Sequence, residues 1–167
     1  MKKNAFTLIE ILLVVVIVVI FSVLVFADYK NGEQQLALQR SANKLAQDLR
    51  RAAAKTLGLE SSSVCLGGYA NYGVHFSIYS SSSYVLFADC GNDDYQYATS
   101  EKISEIALEK NIKITGLSFG TILDVVFEAP DPTVHFTSAA ATSSITLGVG
   151  SRAKTVFINQ AGLIEIK

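Results

Sequence analysis

Few of the residues that could do chemistry stand where chemistry needs them. His75 and His135 are the only histidines, and each falls in an alternating apolar–polar run, the pattern of a half-buried strand. A general base needs a nucleophile or a proton within hydrogen-bond reach, and no Ser, Asp or Cys lies at a motif spacing from either. Asp124 and Glu128 are four apart, which in a strand puts both on one face; solvation accounts for such a pair. Gly67-Gly68 and the glycines between Gly116 and Gly120 mark turns, since no Lys follows where a phosphate loop requires one. Asn92-Asp93-Asp94 resembles part of a calcium loop without its full ligand set. Cys65 and Cys90, the only cysteines, are too scattered from the histidines for a zinc site. The chain therefore reads as non-enzymatic, with no cofactor and no metal. One carboxylate remains out of place.

That carboxylate is Glu10, at the head of an apolar run in which Ser22 is the only polar side chain from Ile11 to Ala27. About 20 apolar residues at 1.5 Å each cross the roughly 30 Å hydrocarbon core, so Phe6–Ala27 is expected to be a membrane-competent helix. A carboxylate within such a span costs on the order of 2.5–3.5 kcal/mol and calls for a partner or a job; an interfacial Glu that snorkels to the membrane edge is the plainer account. Three readings compete: a signal peptide, a simple anchor, and a precursor cut before Phe6. The signal peptide is the weakest, because the run is long and bulky Val25 lies two residues before Ala27.

Lys2-Lys3-Asn4-Ala5 followed by Phe6-Thr7-Leu8-Ile9-Glu10 resembles the prepilin leader of type IV pilins and type II secretion pseudopilins. The resemblance implies that a prepilin peptidase cuts between Ala5 and Phe6, that Phe6 is then N-methylated, and that Glu10 forms an assembly salt bridge with the N-terminal amine of a neighbouring subunit. The residue before the cut is usually Gly in that family; Ala5 is small enough to fit, with slower processing expected. In a fibre core of low dielectric, removing one partner of the buried pair would cost roughly 3–5 kcal/mol, which specifies register.

Charge agrees with an exported domain. The formal net charge is −1, and loss of Lys2 and Lys3 with the leader would make it −3. A mildly acidic surface argues against strong sequence-independent attraction to nucleic acid. Lysines before the span and Asp28 after it place the N-terminus in the cytoplasm and the remainder outside, as in a single-pass inner-membrane protein.

Beyond the span the helix is expected to continue to about Leu57. Leu38, Ala42, Leu45, Leu49 and Ala52 or Ala53 recur at steps of four and three, with Arg40, Lys44, Asp48 and Arg51 on the solvated face. Asn31-Gly32 is a candidate bend and Gly58 a candidate C-cap. A helix from Phe6 to Leu57 would run roughly 75 Å. From Ser61 the pattern changes to short alternating runs. Gly73–Tyr79 and Tyr84–Asp89 form a hairpin, and Ile112–Leu117, Ile122–Glu128, Thr133–Thr137, Ser144–Val149, Thr155–Asn159 and Leu163–Ile166 read as strands; Lys102–Leu108 fits either a strand or a helical turn. The fold class is α+β: a long N-terminal helix, membrane-spanning in its first half and amphipathic in its second, packed on a C-terminal antiparallel β-sheet domain. The divisions are leader 1–5, helix 6–57 and β-rich domain 58–167.

Tyr72–Phe76, Tyr84–Asp89 and the closing Thr155–Ile164 are similar to the GspH/FimT minor pilins and pseudopilins. This resemblance implies a structural minor subunit of a pilus or secretion pseudopilus that primes assembly near the fibre tip. Its partners would be the prepilin peptidase, other pilin or pseudopilin subunits, an inner-membrane assembly platform and membrane lipid. The alternative is a tip subunit that binds DNA or a surface ligand, but the C-terminal Gly162–Lys167 segment has a Glu and no Arg, so nucleic acid is not the expected partner. Outside the cytoplasm Cys65 and Cys90 read as one disulfide, which would close a loop of about 25 residues and contribute a little over 3 kcal/mol. Two buried free thiols are the other possibility.

Overall fold

The structure, a computed structural model, describes residues 7–65, 68–90, 94–130, 133–138 and 140–167, with the backbone alone described for residues 24–31. Among these residues one α-helix, α1 (Leu8–Leu57), precedes nine strands: β1 (Asn71–Ser77), β2 (Ser83–Asp89), β3 (Lys102–Ala107), β4 (Lys113–Leu117), β5 (Ile122–Glu128), β6 (Thr133–Phe136), β7 (Thr142–Val149), β8 (Arg152–Asn159) and β9 (Ile164–Ile166), with a single 3-10 turn at Thr99–Glu101 before β3. The chain divides into two units, residues 1–36 and 37–167.

In the first unit α1 exposes its apolar side chains on every face: Leu8, Ile9, Ile11 to Ile20, Phe21 and Val23 are all open. Ser22 donates its hydroxyl to the Val18 carbonyl at 2.7 Å, so its polar group is satisfied within the helix. Among the described residues no helix is long and apolar enough to cross a membrane. Of the expected span Phe6–Ala27, Phe6 lies outside the described residues and residues 24–27 are described by backbone alone. Helical structure runs on through Gly32 without interruption.

The second unit is built on the remainder of α1. Leu38, Ala42, Leu45, Leu49 and Ala52 are buried as the periodicity requires, joined by Ala37 and Ala46, while Ala53 stays half-buried. Small residues at four of these seven positions let the strands approach the helix closely. Asp48 departs from its expected solvated role, because its carboxylate accepts the Tyr84 hydroxyl at 2.6 Å. At the helix end, Gly58 is not the left-handed cap. Leu59 takes that conformation (φ 49°), with the Glu60 N–H bonding the Lys55 carbonyl at 3.2 Å, the six-to-one bond of a Schellman motif.

The described strands form two antiparallel sheets, consistent with the antiparallel β-sheet domain expected. One has the order β3-β2-β1-β5-β6, the other β4-β7-β8-β9. Both contribute to one core with α1, from Val74, Phe76, Leu123 and Val125 on one side and Ile145, Leu147, Val156 and Ile158 on the other. Lys102–Ala107 resolves as a strand pairing with β2. Gly73 is required by packing: a Cβ there would lie 2.7 Å from the Phe87 ring and 2.9 Å from the Val125 carbonyl. Phe87 crosses it on the face of the sheet turned away from α1.

Candidate functional site

Two regions hold the candidate functional residues. The first is the start of α1. Ala5 and Phe6, the expected cleavage and methylation residues, lie outside the described residues. Glu10 lies in the first turn, where its N–H and that of Ile11 bond the Thr7 carbonyl at 3.1 and 3.3 Å. Thr7 thus occupies the N-cap position and Glu10 the third helical position, the residue types of a capping box. A carboxylate there is also favoured by the helix dipole. Glu10 is exposed, and no ion pair or side-chain hydrogen bond engages it among the described residues.

The second region is the outer face of the five-stranded sheet. Antiparallel register sets His75 opposite Asp124, and Nδ1 lies 2.6 Å from the Asp124 carboxylate. Asp124 is buried, at 4% exposure, so it is not the solvated strand carboxylate expected. Its backbone N–H donates to Thr137 Oγ1 at 2.7 Å. Four residues along β5, Glu128 lies 2.6 Å from His135 Nε2. Each imidazole is also covered by a tyrosine from the connection after β2. Tyr95 stacks on His135 with ring centroids 3.8 Å apart and 8° between planes; Tyr97 leans on His75 with centroids 4.5 Å apart and lies T-shaped to Phe87 with centroids 5.4 Å apart. The same unit of carboxylate, imidazole and phenol ring therefore occurs twice, with β5 supplying both carboxylates.

These pairs orient imidazoles, but no Ser or Cys hydrogen-bonds to either ring among the described residues. Their evident work is to fasten the 94–98 segment to the sheet. Sequence separations of 49 between His75 and Asp124 and of 7 between His135 and Glu128 explain why local spacing did not reveal them. Only pairing Gly73–Tyr79 with Ile122–Glu128 in register would have done so. Of the calcium-like loop, Gly91 to Asp93 lie outside the described residues, and Asp94 accepts the Gln96 N–H at 3.1 Å in a local turn.

Cys65 and Cys90 form a disulfide, with Cα atoms 5.1 Å apart. It ties the segment after α1 to the end of β2, as expected, and so anchors the start of the connection that carries Tyr95 and Tyr97.

No protein-family model, no curated protein and no solved structure matches the chain. What the fold defines is a class: an α+β protein in which one helix, apolar on all faces at its beginning, ends as the core element of a two-sheet, disulfide-linked domain.

Proposed function

We propose that the chain is a structural minor subunit of a type IV pilus or type II secretion pseudopilus, of the GspH/FimT kind, and that it acts by assembly rather than catalysis. In this reading prepilin peptidase cleaves between Ala5 and Phe6, Phe6 is methylated, and the helix from Phe6 to Ala27 crosses the inner membrane before entering a fibre. Glu10 then pairs with the amine of a neighbouring subunit. The 58–167 domain stays outside the cytoplasm and makes the surface contacts.

One observation carries the reading. Among the described residues Glu10 stands without a partner in the first turn of a helix whose next thirteen side chains include only one polar group, Ser22, already bonded to its own backbone. A helix apolar on every face needs lipid or other helices around it, and a carboxylate at its head needs a cation. A bundle of identical helices with free N-termini would supply both.

The test is the intact mass and N-terminal sequence of the protein from cells that contain a prepilin peptidase. A chain beginning at Phe6 and one methyl group heavier than its sequence is the expected result. A chain starting at Met1 or near Asp28 overturns the proposal.

A further inference from the structure

A cavity of about 210 Å³ opens on the outer face of the five-stranded sheet, beside the hairpin end of β1 and β2. Its wall includes His75, Ser77, Ser83, Tyr97, Lys102 and Glu105. These residues come together because Ser77 and His75 alternate outward on β1, while β2 and β3 bring up Ser83 and Glu105. The connection after β2 adds Tyr97, which lies against His75.

The wall is polar but electrically balanced. Lys102 Nζ bonds Glu105 Oε2 at 2.7 Å, and the other Glu105 oxygen accepts the Ser83 hydroxyl at 2.8 Å. Both charged side chains remain close to half exposed, so they can also reach a ligand. The Glu105 carboxyl is held below its usual range, first by the bond to Lys102 and then by the bond to Ser83. It is therefore a firm acceptor at neutral pH. A simple anion would find Lys102 already neutralised, and an apolar ligand would strand the hydroxyls and charges. Tyr97 adds an aromatic ring whose orientation is fixed by His75 and Phe87. Such a ring offers an electron-rich face to C–H groups, and the hydroxyls, ammonium and carboxylate offer donors and acceptors to hydroxyl groups. The volume is below the roughly 300–1,000 Å³ of drug-sized sites, which suits one small ring.

We propose that this cavity binds a single neutral saccharide ring, with Tyr97 as the stacking platform and Glu105, Lys102 and Ser83 as the hydroxyl-recognising groups. The site lies wholly within the 37–167 unit and does not depend on the pilin reading.

The test uses the full chain in a detergent without a sugar headgroup, with saturation-transfer NMR against glucose, galactose, mannose and N-acetylglucosamine, and succinate as the charged control. At least one sugar is expected to receive saturation from the protein, and succinate none. Glu105→Gln, which keeps the shape and removes the charge, should weaken binding about tenfold, the scale of one charge-assisted hydrogen bond. Tyr97→Phe should retain binding, because the ring remains. Transfer to succinate alone, to no sugar, or equally in wild type and Glu105→Gln overturns the proposal.

Discussion

Tyr84 donates its hydroxyl to Asp48 at 2.6 Å, so a strand and the helix that covers it are joined by a charge-assisted bond at the margin of the core. Burial is the main reason the phenol is raised far above its ordinary range, with the bond to Asp48 and that residue's charge adding to it. The folded state therefore holds this proton where the unfolded chain, with a phenol near pH 10, releases it. Stability from this group is fully present below about pH 10 and falls above it by up to ~1.4 kcal/mol per pH unit. Tyr84→Phe should remove that alkaline sensitivity and cost about 1.5–3 kcal/mol at neutral pH, since Asp48 loses its partner. Urea unfolding at pH 7 and at pH 11 checks both.

Gly73→Ala places a methyl group against Phe87 and the Val125 carbonyl. The backbone contact cannot move aside as a side-chain tip could. A loss of about 1–3 kcal/mol is expected, measured by thermal or denaturant unfolding. Phe87→Leu in the same background should restore part of it by freeing space above the glycine.

Cys90→Ser opens a loop with a sequence separation of 25. The chain-entropy model gives a cost of about 3 kcal/mol, and the fall in the urea midpoint measures it. Reducing agent should lower the wild-type midpoint by the same amount and leave Cys90→Ser unmoved.

Glu10→Ala leaves the domain's core untouched, so unfolding of the 37–167 unit should be unchanged. Under the proposed function the variant loses one partner of a buried pair, a cost of roughly 3–5 kcal/mol, and its yield in sheared fibres should drop steeply relative to wild type. Normal incorporation would overturn the assigned role.

How much could be read from the chain varied with the range of the interaction. The helical stripe from Leu38 to Ala52 was legible because a 3.6-residue period is local, and the β1–β2 hairpin because alternating runs flank a serine turn. The choice of Ala52 over Ala53 was not, since both are small and only the packed sheets distinguish them. The division into two sheets was hidden for a similar reason: every strand alternates alike, whichever layer it joins. At Leu59 a local rule misled. Glycine is favoured in the left-handed cap, yet Gly58 falls one residue early and Leu59 bears the positive φ. The histidine–carboxylate pairs required knowledge of register, which no window along the chain contains.

Among the described residues the outermost strands are β3 and β6 in one sheet and β4 and β9 in the other, and Val134 on β6 and Ile114 on β4 already donate their N–H groups to Gln160 and Ser81. Open edges invite other chains to pair backbone to backbone, and charge along them discourages it. Here β3 carries Lys102 and Glu105, β4 Lys113 and β9 Glu165. Copies of this domain held close together would thus be kept from zipping into a continuous ribbon, and could be stacked densely while each remains a separate, exchangeable piece.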